Sequence, residues 1–220
     1  MTDNFKTIAD VNKQKRFRSN TPMLVGDEEG LFFTNYQGAS EHVARRIKED
    51  LGVVPVLELC CGIGGTTVFL AKMLQHIYAV DLNPVRIKAA RKNAENFGVG
   101  DKITFLNKNA LDTKMLKQAK QDHVLAVFVD VEWRSNANQN WNESTADISK
   151  TIPPITNVFA VTTKLVTKNI VLHLSPQIDH GQLQSLGECE IEEVVINGEV
   201  KMLNVYYGIL RHCANSVFRI

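Results

Sequence analysis

The sequence Glu58-Leu-Cys-Cys-Gly-Ile-Gly-Gly65 decides the fold. It closes an apolar run at residues 53–60 and leads into residues 66–74, whose apolar side chains recur with a helical period. Glycines in such a strand-to-helix turn let the backbone approach a ligand closely, and the helix that follows presents free N–H groups. The spacing is G-x-G-G and not the G-x-G-x-x-G of dinucleotide sites, because Val68 and Phe69 stand near the place of a third glycine. A nicotinamide cofactor is therefore disfavoured.

Predicted strands and helices alternate on both sides of this loop. Further strands are predicted at residues 77–80, 103–106, 124–131 and 170–174, and further helices at residues 41–51, 84–97 and 111–120. Asn197-Gly198 separates two apolar runs, residues 190–196 and 200–210, and predicts a hairpin with a type I′ turn. We therefore predict an α/β, Rossmann-like fold with a mostly parallel seven-stranded sheet, an antiparallel C-terminal hairpin and helices on both faces.

Composition and charge exclude several classes of protein. The apolar runs in the 220 residues are far shorter than the ~20 residues of a membrane span, and residues 1–20 are too polar for a secretory signal. Lys and Arg total 25 against 24 for Asp and Glu, so an RNA partner would have to be held by local chemistry. The four cysteines have the spacing of neither a disulfide framework nor a zinc site. We expect an intracellular protein, cytoplasmic or (in a eukaryote) nuclear, with no membrane and no metal.

The N-terminal residues differ in character from the rest of the chain. We predict an extension at residues 1–26 and a single domain at residues 27–220. The extension carries a basic-aromatic cluster, Lys13-Gln-Lys-Arg-Phe-Arg18, for which two interpretations stay open. It is either a solvated extension or an arm that contacts RNA.

Polar residues stand where the predicted strands end. Glu58 closes the first strand, Asp81 follows the second, and Asn109 follows the third. Because ligands of open α/β sheets bind at the carboxyl ends of the strands, these side chains are predicted to share one site. Glu58 can accept from an ammonium group, and Asp81 can bind a ribose diol through both carboxylate oxygens. The Asn109 amide can form hydrogen bonds with the edge of an adenine. The set fits S-adenosylmethionine.

The predicted cofactor-binding residues come from the glycine loop and the strand ends, and they are Glu58, Cys61, Gly62, Gly64, Asp81, Leu82 and Asn109. Two local alternatives stay open. Asp81 could instead be the N-cap of the helix that begins near Pro84, and Asn109 could be a turn residue.

The glycine loop resembles the first motif of class I methyltransferases, and most closely the D-x-x-C-G-x-G-G of the trimethylguanosine synthases. Residues 78–99 are similar to that family's second motif and helix, and residues 29–33, 41–44 and 168–171 and the closing hairpin are similar as well. The resemblance extends from about residue 27 to residue 210. It implies a class I methyltransferase domain that transfers a methyl group from S-adenosylmethionine to the exocyclic N2 of guanine, in that family a 7-methylguanosine cap.

The resemblance also implies an acceptor site. The family's S-P-P-W motif, which orients the amine and stacks the base, corresponds here to Asp130-Val-Glu-Trp133. We predict Asp130 and Trp133 as catalytic residues, and Glu132, Trp133 and Trp141 as substrate-binding residues. Glu132 would accept from guanine N1–H and N2–H, although a solvent-facing loop position is as strongly expected. Trp141 would either stack the base from its other side or anchor the loop.

The expected partner is a guanosine-containing RNA or nucleotide, and two alternatives stay open. The near-neutral charge favours a compact substrate, so the acceptor could be a small molecule or a different RNA base. The loss of both prolines would also be consistent with a member that binds cofactor with little catalysis. His173 alternates within a predicted strand and is expected to be a satisfied core histidine.

Overall fold

The computed structural model describes residues 5–7, 16–136, 140 and 142–220. Two compact units make up the chain, Met1–Asn109 and Ala110–Ile220. Both contain strands that alternate with helices, as the sequence pattern predicts.

The first unit builds its core from three parallel strands and the helices between them. Its described elements in chain order are β1 (Lys6–Thr7), β2 (Val25–Gly26), α1 (Glu28–Phe33), α2 (Gln37–Leu51), β3 (Pro55–Leu59), α3 (Thr67–Met73), β4 (His76–Asp81), α4 (Pro84–Asn96) and β5 (Ile103–Asn107). Strand β4 pairs in parallel with both β3 and β5. Leu59 lies opposite Val80 and Asp81 lies opposite Asn107, so the three carboxyl ends share one edge.

The part of the N-terminal segment that the structure describes packs on the first unit. The ring of Phe17 stacks on Phe69 with centroids 6.2 Å apart, and Leu24 is fully buried. Arg16 donates to the carbonyls of Phe32 and Thr34, and Arg18 pairs with Glu41. Arg16, Phe17 and Leu24 therefore pack against the unit, whereas Arg18 is largely exposed and forms its ion pair at the surface. Lys13 to Lys15 lie outside the described residues.

The second unit carries five strands among the residues described. Its elements are α5 (Thr113–Gln121), β6 (Ala126–Val129), α6 (Ile155–Leu165), β7 (Ile170–Leu174), α7 (His180–Ser185), β8 (Cys189–Ile196), β9 (Glu199–Tyr207) and β10 (Asn215–Arg219). The strand order is β10-β8-β9-β7-β6, with β6 and β7 parallel and β9 antiparallel to both its neighbours. Asn197 and Gly198 have φ of 52° and 83°, which confirms the left-handed turn that joins β8 to β9.

The α/β, mostly parallel architecture and the hairpin are confirmed, with one addition. Strand β10 pairs in parallel with β8, so the three parallel strands of the first unit and the five strands of the second replace the seven that were predicted, and β1 and β2 form a separate antiparallel pair. The sequence also did not reveal helices α1, α6 and α7. Over the described ranges, every helix is too short or too polar to be a membrane span.

Candidate functional site

The glycine loop follows β3 with a tight turn. The Gly64 N–H donates to the Cys61 carbonyl at 2.9 Å, and the Cys61 N–H donates to the Val80 carbonyl of β4 at 2.9 Å. Gly62 and Gly64 have φ of 54° and 81°, in the left-handed region that favours glycine. A Cβ on Gly62 would meet nothing within 4 Å, so the backbone there faces open space.

Asp81 joins this loop to the end of β4. Its Oδ2 accepts from the Gly62 N–H at 2.8 Å, and its Oδ1 accepts from the Asn83 N–H at 2.8 Å. Asn83, and not Asp81, caps helix α4, because the Asn83 side chain accepts from the N–H groups of Val85 and Arg86. A carboxylate offers about four acceptor positions, so Asp81 keeps the capacity to bind a ribose diol.

Leu82 and Asn109 flank the end of β4 and the end of β5. Leu82 is 69% exposed, which leaves its apolar side chain available to a planar ring. Asn109 is exposed as well. Asn107, the last residue of β5, donates to the carbonyls of Asp81 and Leu82 at 3.0 and 2.8 Å. These hydrogen bonds fix the turn after β4 that carries Leu82. Sequence reasoning missed Asn107, because a polar strand end looks the same whether it supports a site or faces solvent.

Glu58 and Cys61 form the buried floor of the loop. Glu58 is 1% exposed and Cys61 is 7% exposed. Burial raises the pKa of the Cys61 thiol well above its ordinary value, and the nearby charges of Glu58 and Asp81 raise it further. Cys61 therefore stays a neutral thiol, which argues against a nucleophilic role.

The first unit fits the predicted adenosyl cofactor on three structural grounds. The loop offers backbone without side chains and faces open space at Gly62. Acidic groups stand at the buried floor and at the end of β4, as a cationic amino-acid moiety and a ribose require. Leu82 provides exposed apolar surface beside them.

The residues predicted to bind the acceptor follow β6 in the second unit. Asp130 is half-buried and follows directly on a strand whose residues are all buried. Glu132 exchanges both backbone hydrogen bonds with Ile152, at 3.0 and 3.1 Å. This pairing fixes the course of the chain as it leaves the strand.

Glu132 has a partner that the sequence did not predict. Its two carboxylate oxygens accept from Nε and Nη2 of Arg134 at 3.0 and 2.9 Å. The Arg134 side chain is only 2% exposed. Glu132 is therefore neither the solvent-facing residue nor the open acceptor that the sequence suggested, because it neutralises a buried guanidinium.

Trp133 is half-buried and its ring is fixed at one edge. Its Nε1–H donates to the His173 carbonyl at 3.2 Å, and the two rings lie 5.6 Å apart at 41°. The Trp133 carbonyl accepts from the Thr145 N–H at 2.8 Å. Trp133 is therefore only partly buried, and its role in stacking a base stays a prediction. Trp141 lies outside the described residues, and its role stays a prediction.

Behind Trp133 a row of buried polar side chains crosses three strands. His173 Nδ1 lies 2.8 Å from Asn204 Oδ1, and Glu192 Oε2 accepts from Asn204 Nδ2 and from the Tyr206 hydroxyl, both at 2.9 Å. Since the Asn204 amide points its nitrogen at Glu192, its oxygen faces His173, so Nδ1 carries the imidazole proton.

His173 is only half satisfied, which corrects the expectation from the sequence. Burial lowers the pKa of His173 to about 4, against a smaller upward effect of the Asn204 hydrogen bond. Its Nε2 is buried and has no hydrogen-bond partner among the described residues.

Comparisons with known proteins match the chain to one family model and to a curated relative. A family model described as RNA cap guanine-N2 methyltransferase matches residues 54–210. Trimethylguanosine synthase of Saccharomyces cerevisiae is 25% identical over 166 residues, which cover 70% of this chain and 51% of that protein.

Solved structures show the same fold. A Porphyromonas gingivalis chain classed with the methyltransferases superposes with a TM-score of 0.65 at 22% identity, over 83% of this chain and 43% of that one. The S-adenosylmethionine-dependent methyltransferase of Agrobacterium tumefaciens gives 0.58 at 13% identity, over 87% and 68%. This chain therefore spans only about half the length of the Saccharomyces cerevisiae and Porphyromonas gingivalis relatives.

These matches confirm the predicted resemblance, the Rossmann-like fold and S-adenosylmethionine as the cofactor. The chain belongs to the RNA cap guanine-N2 methyltransferase family, whose members are S-adenosylmethionine-dependent methyltransferases.

Proposed function

We propose that this protein transfers a methyl group from S-adenosylmethionine to the exocyclic N2 of a guanine, in capped RNA or a related guanosine nucleotide. The observation that carries the proposal is Trp133, which follows Asp130 by three residues at the exit of β6 and stands half-buried with its indole N–H anchored. The family model, which is described by this reaction, supports it.

Trp133 would hold the base. Its anchored edge fixes the ring plane, so less rotational freedom is lost when a base stacks on it. Stacking on an aromatic side chain contributes about 1–3 kcal/mol per base. A cationic 7-methylguanine would add a cation–π contribution of about 0.5–2 kcal/mol.

Asp130 would orient the amine. The cofactor supplies, when bound, a methyl group that is already activated, so the protein's task is positioning. The lone pair of an aryl amine is delocalised into the ring. A carboxylate that accepts an N–H bond favours the pyramidal nitrogen and directs its lone pair, and Asp130 is the acidic residue that β6 presents at its end.

Glu132 has a different place in this proposal. Reading guanine N1–H and N2–H would require its carboxylate to leave Nε and Nη2 of the buried Arg134, and the loss of two charge-assisted hydrogen bonds to a buried group is costly. We therefore assign Glu132 to shaping the segment that carries Trp133, and we keep Asp130, Trp133 and Trp141 as the proposed substrate residues.

The test is methyl transfer from radiolabelled S-adenosylmethionine to matched nucleotides. We expect incorporation into 7-methyl-GTP or a capped oligonucleotide, with the label at N2 after digestion and chromatography. The 7-methylinosine analogue lacks only the exocyclic amine and should take up no label. Asp130→Asn should lower turnover by about 10²-fold or more while S-adenosylhomocysteine binding stays within twofold.

Other outcomes would replace the proposal. Label in the inosine analogue would assign a different acceptor atom. Label only in bulk RNA would assign another base, and label only in small-molecule extracts would assign another substrate. Clear binding of S-adenosylhomocysteine without any transfer would point to a cofactor-binding member, for which the replacement of both family prolines by Val131 and Glu132 would be the cause.

A further inference from the structure

Helix α4 holds two separate segments of the first unit through one buried side chain. Asn93 is fully buried. Its Oδ1 accepts from the Val25 N–H at 2.8 Å, and its Nδ2 donates to the carbonyls of Val25 and Ile63 at 2.9 and 2.8 Å. Val25 begins the residues that lead into α1, whereas Ile63 lies in the glycine loop.

A second attachment lies on the same face of α4. Arg86 stands seven positions before Asn93, two helical turns away, and its guanidinium pairs with Asp27 and Glu29. Burial lowers the pKa of Arg86, but the charges of Asp27, Glu29 and Asp81 outweigh that effect and raise it. Arg86 therefore stays charged. Helix α4 thus binds residues 25–34, here called the cover segment, through two side chains, Asn93 and Arg86.

The cover segment lies directly against the glycine loop. A Cβ on Gly26 or Gly30 would come within 2.8 and 2.6 Å of Ile63 Cγ2. A Cβ on Gly65 would come within 2.7 Å of Thr34 Cγ2. Contacts this short leave no room for a side chain, so the position of the cover segment and the position of Ile63 depend on each other.

The Asn93 contact acts on one peptide group of the loop. The Ile63 carbonyl and the Gly64 N–H belong to the same peptide plane. Asn93 binds the carbonyl end at 2.8 Å, and the Cys61 carbonyl binds the N–H end at 2.9 Å. The Ile63–Gly64 peptide group is therefore held by a hydrogen bond at its carbonyl and by another at its N–H.

We propose that Asn93 is a positioning residue of the cofactor site. By fixing the Ile63–Gly64 peptide and the cover segment together, it holds the glycine loop in the conformation that S-adenosylmethionine binds. The inference concerns cofactor binding alone, so it stands whether or not guanine N2 is the acceptor. The signal in the sequence is a single polar residue beside the buried stripe of the helix, which periodicity alone does not distinguish from a surface position.

The test compares Asn93→Asp with the unchanged chain. The aspartate has the size of the asparagine and can still accept from Val25, but it cannot donate to either carbonyl and repels both. We expect S-adenosylhomocysteine to bind at least 10-fold more weakly by calorimetry at a temperature well below the unfolding midpoint. The amides of Val25 and Gly64 should exchange hydrogen faster. Asn93→Ser, whose hydroxyl is too short to bridge both segments, should show the same pattern if the aspartate variant does not fold.

A matched control is Asn204→Ser, which removes an equally buried amide from the second unit. It should lower the unfolding midpoint and leave S-adenosylhomocysteine affinity within twofold. The inference is overturned if every Asn93 variant that folds shows faster hydrogen exchange at the Val25 amide but unchanged affinity for S-adenosylhomocysteine. Asn93 would then be a structural residue only. These measurements need no acceptor substrate, so a failure to methylate guanine would not affect them.

Discussion

Asp81 in the first unit and Glu132 in the second are both acidic residues close to the end of a buried strand, yet the structure uses them differently. Asp81 accepts from two backbone N–H groups. Glu132 gives both its oxygens to the guanidinium of Arg134. The Asp81 carboxylate keeps spare acceptor positions, whereas both oxygens of Glu132 bind one guanidinium.

The same contrast separates the surroundings of the glycine loop, here called the first region, from the residues behind Trp133, here called the second region. Around the glycine loop, polar side chains bind mostly backbone groups, as Asn93 and Asn107 do. Behind Trp133 they bind one another, as in the row from His173 to Glu192. Changes in the first region should therefore act on the ligand, and changes in the second should act on stability and its pH dependence.

The largest effect is expected for Asp81→Ala. The variant loses the ribose contact and the acceptor that holds the Gly62 N–H. Two charge-assisted hydrogen bonds of about 1.5–3 kcal/mol each correspond to at least ~100-fold in affinity. Calorimetric titration with S-adenosylhomocysteine measures this loss. Asp101→Ala, an exposed position in the turn before β5, is the control and should bind within twofold of the unchanged chain.

Glu132→Gln should instead weaken the fold. Arg134 keeps its charge in a buried position and loses the carboxylate that binds its Nε and Nη2, which we expect to cost about 1–3 kcal/mol of unfolding free energy. Urea unfolding measures the cost, and adding Arg134→Met should recover part of it by removing the buried charge. Weaker guanosine binding at unchanged stability would contradict the comparison and restore Glu132 as the residue that reads the base.

The first region was largely predictable because its information is local. A glycine loop between a strand and a helix, and an acidic residue after the next strand, meet in space because parallel strands align their carboxyl ends. Glu58, Gly62 and Asp81 follow from this rule. Asn93 does not, since its partners lie 68 and 30 residues away and no local pattern links them.

The second region depends on a register that the sequence does not show. The Asn197-Gly198 turn pairs Ile196 with Glu199, and a regular hairpin would continue to place Glu192 opposite Leu203. A bulge between Val194 and Val195 shifts the pairing by one residue. Glu192 therefore lies opposite Asn204, which aligns the polar row on one face. Sequence patterns do not reveal that shift.

Buried His173 gives the stability of the second region a pH dependence. Its pKa is about 4 in the folded chain, below its ordinary value of 6.5, so between these values the unfolded chain binds a proton that the folded chain refuses. The free energy of unfolding should be unaffected above pH 6.5 and should fall by roughly 2–3 kcal/mol as the pH approaches 4.

Urea unfolding at pH 7.5 and 4.5 measures that fall. Carboxylates elsewhere in the chain also contribute to the pH dependence, so the quantity of interest is the difference from His173→Gln, which keeps a donor for Asn204 but does not titrate. The variant should lose less stability than the unchanged chain between the two pH values. Equal losses would show that the buried imidazole is protonated in the folded chain.

The smallest and most local effect compares Gly62→Ala with Gly64→Ala. Both glycines have a left-handed φ, so each alanine carries a strain of about 1–2 kcal/mol, partly offset by a less flexible unfolded chain. At Gly64 the new methyl would also lie 3.0 Å from the Ala90 Cβ, whereas at Gly62 it would meet nothing within 4 Å. Gly64→Ala should therefore lose about 1–2 kcal/mol more stability in urea.

Gly62→Ala should show the larger loss of S-adenosylhomocysteine affinity relative to its loss of stability, because its methyl enters the open space that the backbone offers to the ligand. If the two variants lost stability and affinity in the same proportion, the open face at Gly62 would not be where the cofactor binds.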